Sequence, residues 1–167
     1  MDKNKKKGNT SIENKKKGEK KMEDIIKTLN ELLADLAVFY RKVQNYHWNV
    51  KGKDFFTVHA KLEEYYDEIN ENIDTVAEHI LTLGGEPLGT MKDYLAVTSI
   101  KEAKNEKVDI ETVLVNVAND FSMLLLKLKE IKSKADILND YVTSAMMDSL
   151  MESYDKKVWM IKQTLEK

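Results

Sequence analysis

Apolar residues recur every three or four positions over four long stretches of the chain, and the intervals between these stretches are polar or carry glycine. From Met22, the positions Ile25, Leu29, Leu32, Leu36, Phe39, Val43 and Tyr46 describe one face of a long helix ending near Asn49. Gly52 breaks this pattern. It resumes through Val58, Leu62, Tyr65, Ile69, Ile73, Val76 and Ile80 until Gly84 and Gly85 stop it, which predicts a second helix antiparallel to the first. Ile110, Val113, Val117, Phe121, Leu124, Leu128 and Ile131 predict a third helix, and Leu138, Val142, Ala145, Ser149, Val158, Ile161 and Leu165 are assigned to a fourth. The stretch from Gly84 to Asp109 is long for a connection, and a short helix is expected within it over Met91–Val97.

The class this predicts is all-α. Two hairpins joined by a connection long enough to cross the length of a bundle is the ferritin-like arrangement of four helices, here with a short helix on the crossover. Composition agrees: 167 residues, 42% hydrophobic and 34% charged, suit one helix-rich domain, and a single proline with six glycines leaves few breaks. No apolar run reaches the ~20 residues needed to span a bilayer, and the basic N-terminus lacks the apolar segment of a secretory signal, so the cytoplasm is the expected address and no membrane partner is expected. The absence of cysteine excludes disulfides, thiolate metal sites and thiol catalysis. Any metal must be held by nitrogen and oxygen.

Charge is divided along the chain. Met1–Lys21 holds nine lysines against Asp2, Glu13 and Glu19, a net of +6, which leaves −8 for the remainder of a chain whose total is −2. Beyond its initiator this segment has one apolar residue, Ile12, so residues 1–21 are expected to be a flexible arm and residues 22–167 the bundle domain. Such an arm suits polyanions, DNA above all, through counterion release. The plainer readings are a solubilising tail, or an upstream extension if translation begins at Met22.

The candidate chemistry is an array of metal ligands: His47, His59, Glu63, Asp74 and Glu78. Imidazole with several carboxylates suits Fe(II), Mn(II) or Zn(II), and such a site with open positions suits iron redox chemistry. The Glu-x-x-His pairs of an intra-bundle di-iron centre are missing, because the residues three before His47, His59 and His79 are Gln44, Phe56 and Val76. A single-chain di-iron oxygenase is disfavoured for the same reason. On a helical wheel with His59 at zero, Glu63, Asp74 and Glu78 fall at about 40°, 60° and 100°, one stripe beside the apolar face. His59 and Asp74 are nonetheless roughly 22 Å apart along a straight helix, too far for one ion. The midpoint of positions 59 and 78 coincides with that of 63 and 74. A two-fold axis crossing near Glu68 and Ile69 would therefore set His59 opposite the second copy's Glu78 and Glu63 opposite its Asp74, giving two identical sites per pair. Taken singly, each residue has a plainer use: a histidine at the end of an apolar stripe as a core or capping group, acidic residues on a helix flank as solvated charge. His79 lies off the stripe, and the eight methionines are read as core filler.

The stretch from Tyr46 to Leu95 resembles the signature region of the Dps family, the ferritin-like DNA-protection proteins of starved bacteria. YHWNV-x-G, the H-x-x-x-E from His59 to Glu63, the D-x-x-A-E from Asp74 to Glu78 and GG-x-PLGT occur in family order and spacing, and the likeness extends more loosely through VAND, ending at Asp120, and D-K-x-x-W at Asp155–Trp159. The resemblance implies a dodecameric shell with ferroxidase centres at two-fold interfaces, His47, His59 and Glu63 coming from one copy and Asp74 and Glu78 from the other. It implies iron as the metal, hydrogen peroxide as the preferred oxidant, storage of ferric oxide in the cavity, and DNA binding without sequence preference, with the nucleoid as a possible site of action. Many relatives have Asp where this chain has Glu63. Trp48 resembles an aromatic residue near the centre in relatives, with interface packing as its plainer use, and Asp120 is a candidate pore residue. The alternative from another class is an architectural DNA-compaction protein in which metal binding is incidental.

Overall fold

The computed structural model describes the backbone of residues 3–166 and the side chains of residues 16–166. Helix α1 runs over Lys3–Asn49, α2 over Phe55–Thr82, the short α3 over Met91–Val97, α4 over Ile110–Leu138 and α5 over Tyr141–Leu165. The first 19 of α1's residues belong to the Lys-rich segment expected as an arm, and its backbone continues the helix. Side chains before Lys16, on which most of that expectation falls, lie outside the described residues. From Lys16 to Lys21 every lysine is exposed, and among the described side chains burial begins with Ile25, where the apolar pattern begins.

Each long helix gives one aromatic ring to the centre of the bundle. Phe121 of α4 meets Phe39 of α1 edge-on at 4.9 Å, Tyr65 of α2 edge-on at 5.6 Å and Tyr154 of α5 at 5.0 Å. These are the favoured geometries for rings whose edges and faces carry opposite partial charge. Tyr154 is buried with its hydroxyl accepting from Asn72 Nδ2 at 2.9 Å, which ties α5 to α2. Around this cluster pack Leu29, Leu32, Leu36, Leu62, Ile69 and Leu124, all essentially inaccessible.

The fourth helix differs from its sequence reading. Leu138 closes α4, because Asn139 takes the left-handed conformation (φ 56°) and Asp140 N–H returns to the Ala135 carbonyl at 3.0 Å, while Asp140 caps α5. The face through Val142, Ala145 and Ser149 is exposed, and the buried face runs through Thr143, Ser144, Met147, Leu150, Tyr154, Val158 and Ile161. Polar residues occupy its start because their partners are supplied. Thr143 bonds Asp140 and His79, and Ser144 donates to Asp136 at 2.6 Å.

The crossover is pinned to α1 by two polar side chains. Asn30 donates to the Glu86 carbonyl (3.0 Å) and accepts from Leu88 N–H (2.8 Å), clamping the turn at Pro87. Asp35, buried, accepts from Thr98 Oγ1 (2.9 Å) and Ser99 N–H (2.6 Å). The crossover begins at a tight helix end, where Gly84 (φ 78°) and Gly85 return their N–H groups to Leu81 and Ile80. It ends in a two-residue parallel pairing of β1 (Val50–Lys51) with β2 (Val108–Asp109), which fixes the link between α1 and α2. That pairing, and therefore the position of the α1–α2 link, had no signal in the periodicity.

Candidate metal centre

His47 lies in the last turn of α1 and His59 in the second turn of α2, so the short link through Gly52 (φ 148°) decides whether they meet. They do. The two rings stack at 3.6 Å between centroids with 20° between planes. His47 Nδ1 is 2.8 Å from the His59 carbonyl, and His59 Nδ1 is 2.8 Å from the His47 carbonyl. A carbonyl oxygen can only accept, so each Nδ1 carries the proton, and in the neutral ring each Nε2 keeps a lone pair. Backbone carbonyls behind ligating imidazoles are the arrangement that fixes the tautomer and orients the rings of metal sites. Among the described residues neither Nε2 has a protein hydrogen-bond partner. Phe55 stacks on His59 at 5.0 Å and Tyr66 stands edge-to-face with His47 at 5.4 Å, so the pair is walled by aromatic carbon and His47 is only 8% exposed.

Glu63 is one turn beyond His59 on α2 and exposed. Burial, then the charges of Glu63 and Asp67, hold the Tyr66 hydroxyl above its ordinary pKa. Asp74 and Glu78 lie on the exposed face of α2 about three and four turns farther on. Within one chain the structure therefore brings together His47 and His59 with Glu63 nearby, and leaves Asp74 and Glu78 apart. Among the described residues no group of three or more His, Asp or Glu side chains can hold an ion on its own. Two imidazole nitrogens with free lone pairs, with the Glu63 carboxylate one turn along α2 and no thiolate, form a donor set that fits Fe(II).

Two other residues have uses the sequence did not give. His79 is buried against α5, its Nε2 2.7 Å from Thr143 Oγ1. Asp120 was expected at a pore; it is instead buried inside the chain, 2.6 Å from Lys42 Nζ of α1. Burial pushes its carboxyl above the ordinary value against the opposing pull of Lys42. A side chain enclosed between α1 and α4 does not line a channel between copies. Trp48 is 54% exposed on the chain, its carbonyl accepting from Lys107 Nζ at 3.2 Å. Tyr66 escaped the sequence reading, although its place three residues after Glu63 puts it on the same face.

The fold and the histidine pair define a ferritin-like four-helix bundle, and residues 26–167 match the family model described as the ferritin-like domain. The chain is 42% identical over 138 residues to the DNA protection during starvation protein of Brevibacillus brevis, covering 83% of this chain and 92% of that one. It is 40% identical over 143 residues to general stress protein 20U of Bacillus subtilis, covering 86% and 98%. Among solved structures, the Dps protein from Bacillus brevis superposes with a TM-score of 0.85 at 38% identity, covering 88% of this chain and 98% of that one. A Vibrio cholerae O1 Dps protein, described as a member of a broad superfamily of ferritin-like diiron-carboxylate proteins, gives 0.85 at 36%, covering 88% and 92%. The chain belongs to the Dps family of ferritin-like proteins.

Proposed function

We propose that this protein oxidises Fe(II) with hydrogen peroxide at sites completed by pairs of chains, stores the ferric product inside a twelve-chain shell, and binds DNA without sequence preference through residues 1–21. Iron storage and DNA protection are the coarse functions that membership of the family supports. The observation carrying the finer reading is the reciprocal lock of His47 and His59, which offers two lone-pair nitrogens and few other ligands from the same chain.

In this reading His47, His59 and Glu63 hold Fe(II) from one copy, and Asp74 and Glu78 of the second copy complete the shell of ligands. Iron is here the substrate. The imidazoles bind Fe(II), and the added carboxylates favour the Fe(III) product because their negative charge interacts more strongly with the higher cation charge. Peroxide takes two electrons from two Fe(II) and, with two protons, leaves as two waters, so no hydroxyl radical need be released. An acidic body of net −8 beyond residue 21 favours approach of the cation, while the basic segment serves DNA. Twelve weak arms on one shell would bind avidly. The expected setting is the cytoplasm, beside the nucleoid.

Anaerobic Fe(II) followed by stoichiometric peroxide tests the ferroxidase. Rapid oxidation in the wild type and a fall of at least about tenfold in His47→Ala/His59→Ala support it. An undiminished rate in the variant leaves an architectural DNA-binding protein with incidental metal.

A further inference from the structure

The backbone of α1 is helical without a break from Lys3 to Asn49, whereas among the described side chains burial begins only at Ile25. The Lys-rich segment is therefore a helical extension of the packed part of α1. Extending an existing helix avoids the cost of nucleating a new one, and lysine and glutamate are good helix formers. The helical conformation also sorts the charges. With Ile25 at zero on a helical wheel, Lys16, Lys17, Lys20 and Lys21 fall between about 180° and 320°, while Gly18, Glu19 and Met22 fall between about 20° and 120°. All four lysines are exposed. In an extended chain, where alternate residues face opposite ways, Glu19 would instead sit between Lys17 and Lys21. The four ammonium groups are spread over about 7.5 Å of helix axis, and duplex DNA carries one phosphate charge per about 1.7 Å, so the face matches about four phosphates. Lys16 with Lys20, and Lys17 with Lys21, are like-charge pairs one turn apart, which oppose the helix on their own and which a polyanion neutralises.

We propose that Lys16, Lys17, Lys20 and Lys21 bind the phosphate backbone of duplex DNA as one face of a helix, and that the segment does not act as a flexible tail. This rests on the reading of residues 1–21 as the DNA-binding segment. Because the backbone of the face is continuous with α1, binding orders fewer torsions than capture by a coil would, and affinity depends on the helix as well as on the charge. Contacts made to phosphates alone position the DNA without reading its bases.

The test holds net charge constant and varies the helix or the face. Gly18 lies away from the lysines, and a Cβ added there meets nothing within 4 Å, so it can be replaced without disturbing the bundle. Full-length assembled proteins are titrated into fluorescent duplex DNA of mixed sequence at one low salt concentration, and binding is read by anisotropy. Gly18→Pro, which breaks the helix, is expected to weaken binding about threefold to tenfold. Gly18→Ala, a better helix former, is expected to bind at least as tightly as the wild type. The exchange Glu19→Lys/Lys20→Glu keeps composition and sets a carboxylate inside the lysine face, and it is expected to weaken binding about threefold to tenfold. A flexible tail would be indifferent to that exchange. Unchanged affinity in Gly18→Pro or in the exchange variant, or weaker binding by Gly18→Ala, overturns the proposal. The underlying DNA reading fails separately, if the wild type does not bind or if a protein beginning at Met22 binds as tightly as the wild type.

Discussion

His47 and His59 orient each other through the main chain: each imidazole Nδ1 donates to the other residue's carbonyl at 2.8 Å, and the rings stack at 3.6 Å. Since the acceptors are backbone atoms, the tautomer of one ring does not depend on the side chain of the other. In the metal-free protein, long-range proton–nitrogen correlation spectra are expected to show both rings protonated at Nδ1. His59→Ala is expected to leave His47 in that tautomer while costing about 1 kcal/mol of stability for the lost hydrogen bond. A His47 ring protonated at Nε2 in the wild type would remove the lone pair that the metal reading requires.

The end of α2 depends on Gly85 for space more than for conformation. A Cβ there would lie 2.6 Å from Ile26 Cγ2 and 3.0 Å from Ile80 Cγ2. Gly85→Ala is therefore expected to lower stability by about 1–3 kcal/mol through overpacking, seen as a fall in Tm. Adding Ile26→Ala should return part of that loss by opening room. A Gly85→Ala protein as stable as wild type would mean that α1 and the α2 terminus are not so closely apposed.

The faces of α1, α2 and α4 were legible because their buried positions are mostly apolar and keep helical period: of the seven marked on α1, from Ile25 to Tyr46, every one is buried. The start of α5 was misread for the converse reason. Thr143 and Ser144 face inward because Asp140, His79 and Asp136 satisfy their hydroxyls, and those partners come from the α4–α5 turn, from α2 and from the end of α4. The histidines were legible as candidates, but not their mutual lock, which needs the Gly52 link and the pairing of Val50 with Val108 across 58 positions. Asp120 was misplaced because a carboxylate looks solvated until Lys42, 78 positions earlier, is seen beside it.

Lys42 and Asp120 make a buried ion pair at 2.6 Å, each side chain 8% exposed. Lys42→Met would leave the carboxylate buried without its cation, and a loss of about 3–5 kcal/mol is expected at pH 7. Burial already sets the folded pKa of Asp120 above its ordinary value. Its contribution to stability is thus fully present below that value and is lost as pH rises through the raised folded value. Without Lys42 the folded value rises farther, so the deficit of Lys42→Met should shrink as pH falls from 7 toward 4.5. Calorimetric Tm differences at the two pH values check this, and a deficit constant with pH would assign the loss to packing alone.

The Lys-rich segment carries nine of the chain's cationic side chains and no described contact with the bundle core. Replacing those lysines by alanine is expected to abolish DNA retardation at low salt. In the wild type, log affinity should fall linearly with log salt, by about 0.9 per phosphate contact. Full retardation by a protein beginning at Met22 would place the DNA site elsewhere.

If the metal site is divided between copies, two dead variants should rescue each other. His47→Ala/His59→Ala lacks the nitrogen half but keeps Asp74 and Glu78; Asp74→Asn/Glu78→Gln lacks the acidic half but keeps both histidines. Each alone is expected to be inactive in peroxide-driven Fe(II) oxidation. When the two are unfolded together and reassembled at equal amounts, about half of the two-fold pairs are mixed. In a mixed pair, the intact histidines of one copy face the intact carboxylates of the other at one of the two sites, and the remaining site has neither half. Activity should therefore return to about one quarter of the wild-type value per chain. A site contained in one chain gives no recovery at any mixing ratio, because no chain in the mixture carries both halves. Recovery also separates ligation from assembly, since each variant must still form the interface for the other to be rescued.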